Sequence, residues 1–128
     1  MFKIDTQSTV PIYEQLRNQV VYAIASGKLK AGETLPSVRK MADMIEINFH
    51  TVNKAYAALN EEGYIIIDRR KGAVVNEQLP DLTKFHQNLS NRVGLAAAEA
   101  ICCGIDDMSF VSLCMQAYRD SKEGKQLS

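Results

Sequence analysis

The chain has 128 residues, of which 46% are hydrophobic and 23% are charged. This composition is that of a globular protein and is too hydrophobic for an intrinsically disordered one. The length suits one domain, or one small domain with an appendage, and excludes a large two-domain enzyme. The apolar runs are far shorter than the roughly 18 residues that a membrane span needs, and the first residues show no signal-peptide pattern. We therefore expect a cytoplasmic protein with no membrane partner.

The charges of the chain balance. Lysine plus arginine number 15 and aspartate plus glutamate number 15, which gives a net charge of zero. A nucleic-acid-binding protein need not be basic overall, but its positive charge must then be clustered. In a chain without an export signal, the three cysteines are expected to be reduced, buried thiols rather than disulfides.

The first predicted helix covers residues 11–26. Pro11 fits the first helical position, where its missing N–H costs nothing, and Gly27 ends the helix. A turn over residues 28–32 follows. One apolar stripe runs along the helix at every fourth residue and consists of Ile12, Leu16, Val20 and Ile24.

Two short helices with a very tight connection come next, which is the outline of a helix-turn-helix. The second helix starts at Ser37, whose hydroxyl can cap the first turn. The third starts after only Glu46 and Ile47, with Asn48 as its N-cap, and ends at Gly63. The predicted buried faces are Val38, Met41, Ala42 and Ile45 in the second helix, and Val52, Ala55, Tyr56 and Leu59 in the third.

A β-hairpin is predicted directly after the third helix. Residues 64–68 are aromatic and β-branched, which is typical of a strand, and residues 73–75 form a return strand. The turn between them holds three consecutive cations, Arg69, Arg70 and Lys71. A hairpin in this place is a wing. The predicted fold class is therefore mainly α, an α+β winged helix-turn-helix over residues 1–76.

The C-terminal part is predicted to be helical. Residues 77–81 form a linker, and a helix from residue 82 is ended by Gly104. A second helix follows an N-cap at Asp106 and runs to about Arg119, and residues 121–128 are expected to be a disordered tail.

Two helices of this kind cannot bury all of their apolar surface alone. The nearest partner is a second copy of the chain, and a closed two-fold dimer is the commonest arrangement of identical subunits. We therefore expect residues 82–120 to form a two-helix dimerisation element. The expected interface residues are Leu82, Phe85, Leu89, Val93, Val111, Cys114, Met115 and Tyr118.

The outer face of the third helix is polar and suits the reading of DNA. The N-terminal end of a recognition helix meets base edges in the major groove, and here it would present Asn48, Phe49, His50 and Thr51. Farther along, Asn53 could contact adenine and Lys54 could reach guanine or phosphate. From the second helix, Arg39 would reach the DNA backbone or the groove edge.

The wing cations Arg69, Arg70 and Lys71 could enter the flanking minor groove or bind phosphates. Each feature alone can also be explained without DNA binding. His50 can be an ordinary surface histidine, and the three cations can form an ordinary solvated turn. The order helix, tight turn, helix, hairpin favours DNA, because it places all these groups on one side.

The chain resembles the winged-helix domain of the GntR family of bacterial transcription regulators. The similarity covers about residues 8–76, and its most characteristic motif is Leu35-Pro36-Ser37-Val38-Arg39. The two-helix remainder is similar to that of the YtrA subfamily. The resemblance implies a homodimeric repressor that binds double-stranded DNA. Its contact positions fall on Arg39, Asn48, Phe49, His50, Thr51, Asn53 and Gly72. We expect each subunit of such a dimer to read one half of an inverted-repeat operator.

Several residues depart from the family pattern. Glu46 stands where the tight turn usually has glycine, so the turn must take a form that a Cβ atom tolerates. Phe49 replaces a proline that is common in YtrA-like members, which predicts a different operator preference. Many members carry arginine at the position of Asn53. The wing ends in Lys71-Gly72-Ala73-Val74-Val75 rather than Gly-Thr-Phe-Val.

Enzyme chemistry and a cofactor are not expected. A zinc site of Cys102, Cys103, Cys114 and His86 is disfavoured, because adjacent helical cysteines point about 100° apart and no Cys-x-x-Cys pair exists. No nucleophile–histidine arrangement or glycine-rich phosphate loop is present. The alternative function is a winged helix that docks protein or RNA without reading DNA sequence.

Regulation of such a protein could involve an unknown small-molecule effector. A C-terminal part of 48 residues after Pro80 leaves little room for an enclosed pocket in one subunit. An effector would then bind at the dimer interface, beside Phe85, Leu89, Met115 or Tyr118, although core packing explains these residues equally well. The three cysteines could also form a thiol switch.

Overall fold

A computed structural model describes residues 2–78 and 80–125 of the chain. These residues form two compact units, Met1–Leu79 and Pro80–Ser128. The first unit contains α1 (Ile12–Ala25), α2 (Val38–Ile45), α3 (Phe49–Glu62), β1 (Ile65–Asp68) and β2 (Gly72–Val75), and the second contains α4 (Leu82–Cys102) and α5 (Asp107–Glu123). The fold is thus mainly α, with a winged helix-turn-helix as predicted. Within the described ranges, no helix is long and apolar enough to cross a membrane.

The first unit is held together by one hydrophobic core between its three helices and the hairpin. All four residues predicted for the inner face of α3 are buried, as are Leu16, Val20 and Met41. Val38 and Ile45 of α2 pack against this core and are half-buried. The periodicity of the sequence therefore predicted the inward faces of α2 and α3 correctly, because a helix must turn its apolar stripe away from water. In the predicted α1 stripe, Ile24 also packs against the core, but Ile12 is not among the residues that do.

The ends of α1 differ slightly from the prediction. Pro11 lies at the N-cap position with extended backbone (φ −54°, ψ 145°), so it precedes the helix instead of occupying its first position. Ser26 is the C-cap. Gly27 then turns the chain at φ 82° and donates its N–H to the Ile24 carbonyl at 3.1 Å.

Side-chain hydrogen bonds fix the start of α2. The Ser37 hydroxyl accepts a hydrogen bond from the Lys40 N–H at 3.1 Å, as the sequence predicted for the start of α2. The buried Tyr56 hydroxyl donates to the Pro36 carbonyl at 2.7 Å, which ties α3 to the entry of α2. Burial raises the pKa of the Tyr56 phenol, which favours the protonated form that donates this bond.

Glu46 ends α2 in the left-handed conformation, with φ 56° and ψ 47°. It is the one residue other than glycine with a positive φ among those described. The turn therefore keeps the backbone form that favours glycine, and Glu46 bears the cost of its Cβ atom, about 1–2 kcal/mol.

Replacing Glu46 with glycine should therefore stabilise the fold. The strain energy relieved in the folded state is larger than the entropic cost of the extra flexibility that glycine gives to the unfolded chain. We therefore expect the free energy of unfolding to rise by about 0.5–1 kcal/mol. Urea denaturation at fixed protein concentration measures it. The matched control is Asp43→Gly inside α2, which should lose about 0.3 kcal/mol, because glycine is a slightly poorer helix former than aspartate. Equal losses in both variants would contradict the strain at Glu46.

The wing is larger than the predicted hairpin. β1 and β2 pair antiparallel with Ile65 opposite Val75 and Asp68 opposite Gly72. The return strand thus begins at Gly72, one residue earlier than predicted. A third segment, residues 32–35, joins the other edge of β2: the Leu35 N–H donates to the Ala73 carbonyl and the Val75 N–H donates to the Glu33 carbonyl, both at 2.8 Å. Sequence analysis predicted a turn up to residue 32 and no strand over this segment.

The second unit has almost no core of its own. Its helices do not pack against each other along their lengths, and Ala100 is its one buried residue within the described range. Cys102, Cys103 and Cys114 are free thiols exposed in the single chain. The expectation of buried thiols is therefore wrong for the single chain, because the chain alone supplies nothing to cover them.

The predicted end of the last helix is also wrong. α5 does not stop near Arg119 but continues to Glu123, with Gly124 as its left-handed C-cap. The helical region thus extends past residue 120 and occupies the first part of the predicted tail, while residues 126–128 lie outside the described residues. At the other end Asp106 is the N-cap, as predicted. Hydrogen bonds from Ser109 lower the pKa of the Asp106 carboxyl.

Candidate nucleic-acid interface

The N-terminus of α3 forms the centre of the candidate interface. Asn48, Phe49 and His50 are all exposed there. The Asn48 side-chain oxygen accepts a hydrogen bond from the His50 N–H at 2.8 Å, which makes Asn48 the N-cap that the sequence predicted. This bond uses one of the two lone pairs of the amide oxygen, so Asn48 can still offer DNA its NH₂ group, its second lone pair and the helix end that it fixes.

Three side chains from α2 and α3 stack beside this helix end. The Arg39 guanidinium carbon lies 5.6 Å from the centroid of the Phe49 ring. The Phe49 and His50 rings have centroids 4.1 Å apart and an interplanar angle of 33°. We call this group the Arg39–Phe49–His50 stack. Sequence analysis named all three residues but did not place them in contact, because the turn between α2 and α3 decides which residues meet.

The remaining predicted residues of α3 differ in their accessibility. Asn53 is exposed, whereas Thr51 is half-buried. The Lys54 ammonium nitrogen lies 4.1 Å from the centroid of the Tyr13 ring of α1. This cation–π contact directs Lys54 toward α1, a contact that sequence analysis missed. Tyr13 is the second residue of α1 and lies outside the predicted apolar stripe. The periodicity therefore did not indicate that Tyr13 contacts a residue of α3.

The wing turn presents its three cations on an ordered loop. The Asp68 carboxylate accepts hydrogen bonds from the backbone N–H groups of Arg70 and Lys71, at 2.7 Å and 3.4 Å. Gly72 closes the loop at φ 79°, a conformation that a residue with a Cβ atom rarely adopts. Within the described chain, the side chains of Arg69, Arg70 and Lys71 are exposed and form no ion pair.

The wing is attached to the C-terminal end of α3. The Ile67 N–H donates to the Asn60 side-chain oxygen at 3.3 Å, and the Asn76 amide donates to the Gly63 carbonyl at 3.0 Å. Arg17 of α1 binds both carboxylate oxygens of Glu62 at 3.1 Å. The helix N-terminus and the wing therefore belong to one rigidly connected unit, as an interface that reads one stretch of duplex requires.

This arrangement is suited to binding and not to catalysis. Its groups are exposed hydrogen-bond donors and acceptors and unpaired cations, which match base edges and phosphates. In the part of the chain that the structure covers, no three histidine, cysteine or acidic side chains come together in a way that could hold a metal ion.

The comparisons with known proteins agree with the fold. Residues 12–75 match the model of the family described as bacterial regulatory proteins, gntR family. The HTH-type transcriptional repressor YtrA of Bacillus subtilis (strain 168) is 43% identical over 77 residues, which are 60% of this chain and 59% of YtrA. The chain thus matches less than two thirds of the length of that relative. YhcF, an uncharacterised HTH-type transcriptional regulator of the same organism, is 30% identical over 87 residues, which are 68% of this chain and 72% of YhcF.

Two solved structures are similar over much of the chain. A protein described as a transcriptional antiterminator from Listeria monocytogenes EGD-e has a TM-score of 0.88 and 27% identity, and the match covers 100% of this chain and 97% of that one. YtrA from Sulfolobus acidocaldarius, a GntR-family transcription factor, has a TM-score of 0.62 and 39% identity over 74% of this chain and 97% of that one. The relatives are regulators and not enzymes. The chain belongs to the gntR family of bacterial transcription regulators and is similar to YtrA.

Proposed function

We propose that this protein is a homodimeric, sequence-specific repressor that binds an inverted-repeat operator in double-stranded DNA. The observation that carries the proposal is one set of exposed side chains in a single rigid unit. At the N-terminal part of α3, the Arg39–Phe49–His50 stack and Asn53 can meet base edges, and the wing turn can meet phosphates. A repressor acts on the chromosome, so the proposal places the protein in the cytoplasm.

The surface of the second unit supports the proposed dimeric state. Leu82, Val93, Val111, Met115 and Tyr118 are between 47% and 73% exposed in the single chain. This much exposed apolar surface on two helices favours an interaction site. Because α4 and α5 do not cover one another, a second copy of the same pair supplies the missing partner surface, and a two-fold dimer presents two α3 helices to two half-sites.

Selection of the purified protein against random duplex DNA tests the proposal. At about 0.15 M salt, non-specific phosphate binding is already weak, so enrichment measures base reading. We expect an inverted repeat whose half-site centres are separated by about one helical turn, or a multiple of it. If no sequence is enriched, the free protein does not read base sequence in duplex DNA and the proposal is wrong.

Asn53 is proposed to contact an adenine edge in the major groove. We expect Asn53→Ala to lower the affinity for the selected operator by about 1–3 kcal/mol, because a bidentate base contact disappears. Affinity for random duplex should change much less, since Asn53 carries no charge. Fluorescence anisotropy titrations with both duplexes measure the difference. Equal losses on the two duplexes would show that Asn53 does not read a base.

The wing cations are proposed to bind phosphates. Replacing Arg69 and Arg70 with glutamine should weaken binding to every sequence and reduce the slope of log affinity against log salt by about 2, because two fewer counterions are released. The matched control is the double variant Lys28→Gln with Lys30→Gln. It removes the same charge from exposed positions in the turn that follows α1. A salt slope that falls equally in both double variants would indicate a general charge effect and not a wing contact.

A second candidate function is RNA binding. The observation that favours it is the similarity of the whole chain to a protein described as a transcriptional antiterminator, since antitermination acts on a nascent transcript. Single-stranded RNA is recognised by stacking on exposed aromatic rings, and Phe49 is 42% exposed. A parallel selection from random RNA at the same salt separates the two candidates, since a duplex DNA reader should enrich nothing there.

A further inference from the structure

We propose that Phe49 determines part of the operator sequence by contacting the 5-methyl group of a thymine in the major groove, a proposal that rests on the function proposed above. The argument starts from the place of Phe49 in the fold. Phe49 is the first residue of α3 and remains 42% exposed, although it is among the largest apolar side chains of the first unit. It belongs neither to the hydrophobic core nor to the partly buried residues packed against that core.

Phe49 is nevertheless held in place. The Arg39 guanidinium lies 5.6 Å from its ring centroid, and the His50 ring lies 4.1 Å away. A ring with two stacked neighbours has lost much of its freedom before DNA arrives, so little further ordering is needed on binding. Its exposed part is therefore a rigid apolar surface at the helix end that enters the groove.

The major groove offers one apolar group to such a surface. Of the four bases only thymine carries a methyl group there, and phenylalanine is among the side chains that pack against it. Protein docking would also use an exposed ring, but the flanking groups here are an unpaired guanidinium and the polar Asn53, which match base edges better than an apolar partner surface. The same contact places the Arg39 guanidinium beside the Phe49 ring.

The test uses the selected operator with single thymines replaced by 2′-deoxyuridine, which removes the methyl group and leaves every hydrogen-bonding atom in place. We expect one thymine in each half-site at which this change lowers the affinity of the wild-type protein about fourfold, the equivalent of about 0.8 kcal/mol for one buried carbon. Replacing both symmetry-related thymines should lower it about fifteenfold. Uracil at other positions should have no effect.

A double-mutant cycle assigns the effect to Phe49. In Phe49→Ala the affinity for the thymine operator should fall, and thymine and uracil should then bind equally. Phe49→Leu keeps an apolar side chain, so it should retain the uracil effect while losing the stack with Arg39. Circular dichroism melting of both variants checks that they fold. Met44→Ala is the control, because Met44 is 58% exposed on α2 and lies outside the residues assigned to the DNA interface, so this variant should keep the uracil effect.

Two results would overturn the inference and leave the proposed function standing. One is a specific operator with no uracil-sensitive thymine. The other is a uracil effect that persists unchanged in Phe49→Ala, which would assign the methyl contact to another residue. Failure to select any operator would be distinguishable from both, since it would remove the proposed function and this inference with it.

Discussion

Met115→Glu is expected to convert the protein from a dimer to a monomer and to lower its affinity for the inverted repeat about 100-fold. Met115 is 53% exposed and lies four residues after Val111, on the same side of α5. In the proposed dimer both positions are buried, so a carboxylate there would be taken out of water without a partner. When two subunits are linked, the affinity for two half-sites exceeds the affinity of one subunit for one half-site by a factor of about 10²–10⁴. A monomer loses this gain in affinity.

Analytical ultracentrifugation and operator titration measure the two effects together. The matched control is Ser109→Glu, which adds the same charge on the polar side of α5, in the first turn, where a carboxylate is favourable. This control should remain dimeric and bind the operator normally. A dimeric Met115→Glu protein would place the interface elsewhere, whereas a monomer with full operator affinity would show that one subunit reads the whole site.

The helix-turn-helix could be predicted from the sequence because its signals are local. Ser37 and Asn48 carry side chains that cap helices, and both are caps in the structure. The spacing of Val52, Ala55, Tyr56 and Leu59 is that of one helical face, and all four are buried. These features depend on neighbours within one or two turns of helix, so no knowledge of the tertiary fold was needed.

The features that sequence analysis missed depend on residues far apart in the chain. The pairing of residues 32–35 with β2 joins segments about 40 positions apart, and nothing in either segment specifies the other. The contact of Lys54 with Tyr13 likewise requires α1 to lie beside α3. At Glu46 the sequence suggested that a residue with a Cβ atom would change the turn. The structure instead keeps the left-handed backbone at this position.

The end of α5 was missed for a different reason. Residues 120–123 have no apolar periodicity, so the pattern lost its signal near Arg119. The helix continues because its backbone hydrogen bonds do not require apolar side chains, and Gly124 supplies the left-handed cap that ends it. The hydrogen bond of the Ser121 hydroxyl to the Ala117 carbonyl lies within this extra turn.

Met41→Ala is expected to destabilise the first unit by about 3 kcal/mol. Met41 of α2 is fully buried at the centre of the core, so alanine would leave a cavity as well as remove apolar burial. A loss of this size is a large part of the stability of a domain of this length, which is about 5–15 kcal/mol. Because α2 carries Arg39, local opening of this helix should weaken operator binding too.

The same helix provides the control for this substitution. Met44 lies three residues after Met41 but is 58% exposed, so Met44→Ala removes the same atoms from a position facing water. We expect its free energy of unfolding to stay within about 0.5 kcal/mol of wild type. Urea denaturation of both variants at one protein concentration measures the difference, since the stability of a dimer depends on concentration. Equal destabilisation of the two variants would mean that α2 does not present Met41 to the core, and the position of Arg39 beside Phe49 would then lose its structural basis.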